Sequence, residues 1–171
     1  MSALSFVSES LEESQRLGEC LAAALTAGAA GGCGGLTIAL DGELGAGKTA
    51  LVRSVCGALG ADPDTVNSPT FVLMQLYHGG ELPVAHFDTY RLGDVDEFLA
   101  IGGEDYLLDD QTVCFVEWAE RIADVIPTDH LAIRIHHRGE TSRACELSAG
   151  GSRSEFVLAK LGRLLSQEAG S

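Results

Sequence analysis

The sequence predicts an α/β domain of three layers, in which a mostly parallel sheet with one antiparallel hairpin carries helices on both faces. Three observations support this fold. Strand-like apolar runs alternate with helical segments, which favours a parallel sheet covered on both sides. The apolar run at residues 112–116 is typical of a central strand buried on both faces. A glycine-rich loop at residues 42–49 joins a strand to a helix.

The first predicted element is a helix over residues 10–25. Ser10 is a suitable N-cap, and Glu12 and Glu13 in the first turn favour a helix start. Apolar side chains recur at mostly helical spacing, at Leu11, Leu17, Leu21, Ala24 and Leu25. Residues 27–35 are rich in glycine and alanine and are predicted to form a flexible turn.

A strand at residues 36–40 leads into the glycine-rich loop, and a helix follows it. That helix places Leu51, Val52, Val55, Cys56 and Leu59 on one face. After a break at residues 60–64, a strand over 71–77 and a second strand over 84–87 are separated by Gly79-Gly80, which predicts the hairpin.

The second half of the chain continues the alternation. Residues 94–108 read as a helix broken at Gly102-Gly103, before the strand that ends at Glu117. The remaining predicted elements are a helix over 119–125 that stops at Pro127, a strand over 133–136 and a helix over 154–165.

The loop at residues 42–49 reads Gly-Glu-Leu-Gly-Ala-Gly-Lys-Thr, a complete G-x-x-x-x-G-K-[ST] phosphate-binding pattern. Glycines let successive backbone N–H groups converge on phosphates, and the helix that follows adds the positive end of its dipole. Lys48 is expected to reach the β- and γ-phosphates, and the Thr49 hydroxyl to ligate Mg²⁺. The loop therefore predicts a P-loop NTPase-like fold that binds a nucleotide and Mg²⁺. The predicted nucleotide-binding residues of the loop are Gly42, Leu44, Gly45, Ala46, Gly47, Lys48 and Thr49.

Two acidic residues, Asp88 and Glu117, end predicted strands. The C-terminal ends of strands surround the ligand crevice in such sheets, so either carboxylate is a candidate for the metal. We favour Glu117 for Mg²⁺, because its strand is the more uniformly apolar of the two. Asp88 is then the candidate for positioning the attacking water or for an indirect contact to Mg²⁺. The alternative for both is an acid that caps a helix or lies in solvent.

Other residues near these motifs have two possible roles. The segment Ser68-Pro69-Thr70 is either a switch, with a hydroxyl that senses the γ-phosphate or metal, or a plain proline turn. Trp118, which follows Glu117, is either a packing residue or a residue that influences the site or a partner surface. His86 is predicted to be a core or hydrogen-bonded histidine, and His136 and His137 are assigned no chemistry.

Composition narrows the functional classes. A chain of 171 residues that is 46% hydrophobic fits a single domain over residues 1–171. A net charge of −14 opposes direct binding to nucleic acid, so any role with RNA is expected to be indirect. Five scattered cysteines without a C-x-x-C pair are expected to be reduced core thiols of a cytoplasmic protein. The N-terminal segment predicts no secretion signal, and no apolar run predicts a membrane span.

Four motifs in order resemble those of the TsaE family, also called YjeE. They are residues 42–49, Ser-Pro-Thr-Phe at 68–71, His-Phe-Asp-Thr-Tyr-Arg-Leu at 86–92 and Val-Glu-Trp at 116–118. The resemblance covers about residues 8–165 and departs from the usual pattern only at residues 72–75 and at Ala119.

The resemblance implies an ATPase that works with TsaB and TsaD to place threonylcarbamoyl on adenosine 37 of tRNAs reading codons that begin with A. It implies that Lys48 contacts phosphates, that Thr49 and Glu117 hold Mg²⁺ and that Asp88 is essential for hydrolysis. By position rather than by motif, it extends nucleotide contacts to an N-terminal helix and a late loop. The further contact residues that it implies are Leu11, Ser14, Ser142 and Arg143. Thr70 is a candidate nucleotide contact as part of the possible switch segment at residues 68–70.

Two other functions use the same loop. A small-molecule kinase would employ Arg134, Arg138 and Arg143 as a lid, although the sequence has no recognisable acceptor motif. A non-catalytic nucleotide-gated module would need Lys48 and Thr49 but not Asp88. A GTPase is the weakest alternative, because no Asn-Lys-x-Asp signature occurs.

Overall fold

A mixed seven-stranded sheet forms the centre of the protein, whose computed structural model describes residues 2–32, 34–69 and 71–168. The strand order is β1-β7-β6-β2-β5-β4-β3. The four central strands, β6, β2, β5 and β4, are mutually parallel, whereas β3 at one edge and β7 near the other pair antiparallel with their neighbours. The strands are β1 (Ala3–Ser8), β2 (Leu36–Gly42), β3 (Met74–Tyr77), β4 (Val84–Asp88), β5 (Val113–Glu117), β6 (His130–His137) and β7 (Arg143–Ala149).

Helices cover both faces of this sheet. The α-helices are α1 (Leu11–Ala30), α2 (Lys48–Ala58), α3 (Val95–Ala100), α4 (Gly103–Leu108) and α5 (Ser152–Glu168), and shorter 3-10 helices span Pro63–Thr65 and Ala119–Val125. Helix α1 packs against both α2 and α5 on one face. The predicted three-layer α/β architecture is therefore confirmed.

Alternating side chains of the central strands supply the two layers of the core. Ile38 and Leu40 of β2 join a large apolar cluster with α1, α2 and α5. Ala39, which points to the opposite face, joins a smaller cluster with α3, α4 and the 3-10 helix Ala119–Val125. Strands β2, β4 and β5 are therefore buried on both sides, whereas β6 buries one side only. The parallel strands end together at the edge where β2 meets the phosphate loop.

Helix α1 starts where the sequence predicts. The Ser10 hydroxyl accepts a hydrogen bond of 3.1 Å from the backbone N–H of Glu13, as an N-cap does. A Cβ at Gly18 would collide with the side chain of Ser54, so glycine allows α1 and α2 to approach closely. The Ser54 hydroxyl donates a hydrogen bond of 2.6 Å to the carbonyl of Gln15 at this crossing.

Several boundaries differ from the sequence predictions. The turn predicted over residues 27–35 is wrong in its first part, because α1 continues to Ala30. The strand predicted over 71–77 begins only at Met74, because Leu73 has a left-handed backbone with φ of 66°. Strands β1 and β7 were not predicted, and β7 makes a second antiparallel hairpin with β6.

Other features agree with the sequence. The hairpin at Gly79-Gly80 joins antiparallel strands β3 and β4, and Gly102, with φ of 77°, separates α3 from α4. The helix predicted over 119–125 has 3-10 geometry. None of the helices within the described ranges is both long and apolar enough to cross a bilayer.

Candidate functional site

The phosphate loop connects β2 to α2 and has a backbone that only glycines adopt easily. Gly45 and Gly47 have φ of 76° and 113°, in the region that side chains disfavour. A Cβ on Gly42 would lie 2.5 Å from the carbonyl oxygen of Ile135, which leaves no room for a side chain. Gly47 is the N-cap of α2, so the first-turn N–H groups and the positive helix end follow the loop directly.

Lys48 is buried, with 4% of its surface exposed, and its amine is held by its own loop. Nζ donates hydrogen bonds of 2.6 Å to the Gly42 carbonyl and 3.0 Å to the Glu43 carbonyl. The same nitrogen lies 4.1 Å from the centre of the Trp118 ring, at cation–π distance. Burial lowers the pKa of Lys48, and the carboxylates of Glu117, Asp88, Asp41 and Glu120 raise it in opposition.

Thr49 and Glu117 join the loop to the end of β5. The Thr49 hydroxyl donates a hydrogen bond of 2.6 Å to Oε1 of Glu117, and His86 Nε2 lies 2.8 Å from the same oxygen. Glu117 is only 3% exposed. A hydroxyl and a carboxylate beside a phosphate loop are oxygen ligands of the kind that Mg²⁺ prefers. These residues therefore fit the metal that the sequence predicts.

Asp88 lies beside Glu117, because the two residues are register partners on the parallel strands β4 and β5. Its Oδ2 accepts a hydrogen bond of 3.0 Å from the Ser68 hydroxyl, and Oδ1 accepts one of 2.9 Å from the backbone N–H of Tyr90. The side chain is 3% exposed. Both strand-terminal acids therefore lie together at one edge of the sheet, and neither is a solvent-exposed residue.

Trp118 follows Glu117 in a left-handed backbone conformation, with φ of 59°. Such a conformation costs energy for a residue with a side chain, so surrounding contacts must hold it. The Thr89 hydroxyl lies within 3.0 Å of the Glu117 carbonyl and 2.6 Å of the Trp118 carbonyl. The indole ring lies 4.9 Å from the Tyr90 ring. Of the two roles that the sequence left open for Trp118, the contact with Lys48 favours an influence on the site.

A cavity of about 950 Å³ opens between the phosphate loop, α1 and α2. Leu11, Ser14 and Arg143, three residues identified by position alone, line this cavity together with residues 45–47. Arg143 Nε donates a hydrogen bond of 2.8 Å to the Ala46 carbonyl and so ties β7 to the loop. The cavity is large enough for a nucleoside next to the phosphate loop.

Of the predicted contact residues that the structure describes, five do not line this cavity, namely Gly42, Leu44, Lys48, Thr49 and Ser142. Leu44 is 81% exposed at the tip of the loop. Ser142 does not line the cavity, and its carbonyl accepts a hydrogen bond of 2.9 Å from Arg143. Thr70 lies outside the described residues, as does Cys33.

The four cysteines that the structure describes have structural positions in the core. Cys20, Cys56, Cys114 and Cys145 are buried cysteines, and burial raises the pKa of Cys56 to about 12. Across the described ranges, no group of three or more histidine, cysteine, aspartate or glutamate side chains is arranged to hold a metal ion. Mg²⁺ in phosphate-loop proteins needs no such group, because phosphate oxygens and water supply most of its ligands.

Two contacts at this site were not anticipated from the sequence. His86 was expected to be hydrogen-bonded, but its partner, Glu117, was not identified. Thr89, which supports the backbone of Trp118, was not considered. Strand periodicity could have indicated that His86 lies near the site, because residues 86 and 88 are two positions apart on one strand and their side chains point to the same face.

Comparisons with known proteins agree with this geometry. The sequence model of a family described as "Threonylcarbamoyl adenosine biosynthesis protein TsaE" matches residues 8–145. A protein of Bacillus subtilis named "tRNA threonylcarbamoyladenosine biosynthesis protein TsaE" is 39% identical over 75% of this chain and 79% of its own length. A Haemophilus influenzae protein of the same name is 34% identical over 67% of this chain and 70% of its own length. The crystal structure of YdiB from Bacillus subtilis superposes with a TM-score of 0.72 at 30% identity and covers 95% of both chains.

Proposed function

The chain belongs to the TsaE family, and we propose that it is a Mg²⁺-dependent ATPase that acts with TsaB and TsaD. The process would be formation of the threonylcarbamoyl group on adenosine 37 of tRNAs that read codons beginning with A. The names of the relatives support a role in this pathway. A net charge of −14 supports contact with tRNA only through the partner proteins. The site of action would be the cytoplasm.

One observation supports the ATPase proposal most strongly. The Thr49 hydroxyl at the start of α2 lies 2.6 Å from the Glu117 carboxylate at the end of β5. This pairs a phosphate-loop hydroxyl with a strand-terminal acid, which is the arrangement that P-loop NTPases use for Mg²⁺. Bound Mg²⁺ would neutralise charge on the β- and γ-phosphates.

Each polar residue of the site would have a separate task. The backbone N–H groups of residues 42–49 would bind the phosphates, and Lys48 would exchange its two loop carbonyls for phosphate oxygens. Thr49 and Glu117 would hold the metal. Asp88 would orient the attacking water, since its carboxylate lies beside Glu117 and is already fixed by two hydrogen bonds.

The cavity next to the loop would accept the nucleoside. Leu11 would offer an apolar surface to the base and Ser14 a hydroxyl. Arg143 would keep the loop in place through the Ala46 carbonyl. We also propose Ser142 as a contact of the base or phosphates, and Leu44 as a backbone contact. The Thr70 hydroxyl would sense the γ-phosphate or the metal. The single ATPase domain would extend over residues 1–171, with its core at about residues 8–165.

Hydrolysis by the isolated protein is expected to be slow. In phosphoryl transfer, an arginine supplied by a partner can increase the rate about 10³- to 10⁵-fold. Among the described residues, Arg143 already donates to carbonyls of its own chain at residues 46, 139, 140 and 142, which supports an anchoring role rather than a kinase-type lid. We therefore expect TsaB and TsaD to stimulate turnover, with the γ-phosphate passing to water.

Reconstitution tests the proposal. The modification reaction is assembled from TsaB, TsaD, threonylcarbamoyl-adenylate, tRNA and ATP, with the wild-type protein, Lys48→Ala or Lys160→Ala. Lys160 is the only other lysine of the chain and lies on α5, so its variant is the matched control. Wild type and Lys160→Ala should support repeated rounds of modification, whereas Lys48→Ala should not. Equal multiple turnover with Lys48→Ala would remove ATP hydrolysis by this protein from the mechanism.

A further inference from the structure

We infer that His86 is a positioning residue, which fixes the Glu117 carboxylate in the orientation needed to hold Mg²⁺. This inference rests on the proposed function, because it assigns to His86 a task in the metal site proposed above. His86 itself would contact neither the nucleotide nor the metal. It would act through one hydrogen bond to the metal ligand.

The register of β4 and β5 explains how the two side chains meet. Asp88 pairs with Glu117, and His86 pairs with Phe115. His86 therefore lies one step diagonally from Glu117 on the same face of the sheet. Its side chain has no solvent exposure, and Nε2 lies 2.8 Å from Glu117 Oε1.

The chemistry of the partners assigns the proton. An ionised carboxylate can only accept hydrogen bonds, so Nε2 of His86 carries hydrogen and donates to Glu117. The other ring nitrogen, Nδ1, lies 3.3 Å from the Tyr77 hydroxyl. Tyr77 is itself 4% exposed, and burial raises its pKa to about 12, so the phenol keeps its proton. A buried Tyr77–His86–Glu117 chain thus reaches from the core to the proposed metal ligand.

The burial of this chain argues against a purely packing role. A leucine at position 86 would fill a wholly buried site without the cost of placing an imidazole in the core. The hydrogen bond from Nε2 to Glu117 offsets that cost, and so does the Tyr77 hydroxyl, whose hydrogen Nδ1 shares with Gln75 Oε1. Oε1 of Glu117 accepts one hydrogen bond from the Thr49 hydroxyl in the phosphate loop and one from His86 in the core. These two bonds restrict rotation of the carboxylate. Residues that orient a metal ligand in this way typically contribute about 10- to 100-fold to metal affinity or activity.

Binding of a non-hydrolysable ATP analogue, measured by calorimetry across a Mg²⁺ titration, tests the inference without any turnover. His86→Leu should need about 10- to 100-fold more Mg²⁺ to reach the tight-binding form. His86→Gln should stay near wild type, because its amide nitrogen can replace Nε2. Affinity measured with Mg²⁺ removed should stay within about twofold in all variants, which a general loss of structure would not allow.

Matched controls separate this role from loss of stability. Thr37→Val removes another buried hydrogen bond, from β2 to the Leu107 carbonyl on the opposite face, and should leave the Mg²⁺ titration unchanged. Should His86→Leu fail to fold, His86→Gln is compared with His86→Asn, whose shorter amide does not reach Glu117. Equal Mg²⁺ dependence of the Gln and Asn variants would overturn the inference.

A Glu117→Gln variant in the same titration distinguishes the two proposals. If Glu117→Gln needs more Mg²⁺ than wild type to reach the tight-binding form while His86→Leu needs the same amount, the role of His86 is wrong and the metal site stands. If wild type and Glu117→Gln respond to Mg²⁺ alike, the proposed metal site is wrong, and the inference falls with it.

Discussion

Glu117 and Asp88 form a natural comparison within the site. They are register partners at the ends of neighbouring parallel strands, and each is 3% exposed. Their hydrogen-bond partners are nevertheless different. Glu117 is bonded to Thr49 of the phosphate loop and to the buried His86. Asp88 is bonded to Ser68, an exposed residue, and to the backbone of Tyr90.

The difference supports our proposal that these two similar carboxylates have separate tasks. Because Glu117 is bonded to Thr49 and to the buried His86, its position relative to the phosphate loop is fixed. Asp88 is tied to the surface segment that precedes residue 70, so its orientation depends on that segment. We therefore expect changes at Glu117 to alter metal dependence and changes at Asp88 to alter turnover.

The largest effect is expected at Asp88. Asp88→Asn keeps the shape of the side chain. Its amide oxygen can still accept from the backbone N–H of Tyr90 and its amide nitrogen can donate to the Ser68 hydroxyl, but it lacks the charge proposed to orient water. Partner-stimulated kcat should fall by about 10²- to 10⁴-fold, the usual contribution of such a group, with nucleotide affinity nearly unchanged. Steady-state ATP hydrolysis measures this, with Asp105→Asn on α4 as an exposed control. Unchanged turnover would mean that Asp88 does not orient the attacking water.

Glu117→Gln should have a smaller effect of a different kind. The neutral amide is a weaker Mg²⁺ ligand, so the Mg²⁺ concentration for half-maximal turnover should rise by about 10- to 100-fold. Turnover at saturating Mg²⁺ should recover far more than in Asp88→Asn. The measurement is ATP hydrolysis across a Mg²⁺ titration. A reduced kcat with an unshifted Mg²⁺ midpoint would mean that Glu117 is not the metal ligand.

Arg143→Gln should lower nucleotide affinity without separating the effects of Glu117 and Asp88, because Arg143 contacts the phosphate loop rather than either carboxylate. Loss of the bond to the Ala46 carbonyl and its neighbours should cost about 1 to 2 kcal/mol, or about 5- to 30-fold in nucleotide affinity. Calorimetric titration with ADP measures the loss. Arg134→Gln, an exposed change on β6, is the control and should bind ADP normally. A shift of Mg²⁺ midpoint without loss of affinity would contradict this role.

The smallest effect is expected at Ser68. Ser68→Ala removes one hydrogen bond to Asp88, worth about 1 kcal/mol, so kcat should fall by about fivefold. The Mg²⁺ midpoint should not change, in contrast to Glu117→Gln. Ser5→Ala on β1 is the control for this assay. A shifted Mg²⁺ midpoint in Ser68→Ala would contradict the separation between the two carboxylates.

The central sheet and the phosphate loop were predictable because their signals are local. The loop motif fixes a strand, a turn and a helix, and residues 113–117 are buried throughout, as a central strand requires. Strand β7 was missed because its sequence, Arg-Ala-Cys-Glu-Leu-Ser-Ala, has no β-branched residue. It is a strand because β1 and β6 pair with it on both sides, which no local pattern reports.

The site shows the same limit. The positions of Asp88 and Glu117 followed from strand ends, but their different partners depend on register and on contacts between distant segments. Thr49 and Glu117 are 68 residues apart, and His86 and Glu117 are 31 apart. Periodicity along one strand cannot reveal which carboxylate receives those bonds. The distinction between the two acids therefore required the three-dimensional structure.

The most direct measurement of this distinction is a crystal structure of the protein with Mg²⁺ and a non-hydrolysable ATP analogue. The account predicts a metal bonded to the Thr49 hydroxyl at about 2.1 Å, with the Glu117 carboxylate as the nearer of the two acids. Asp88 should then face the water in line with the γ-phosphate. A metal bound to Asp88, with Glu117 turned away from Thr49, would contradict the account.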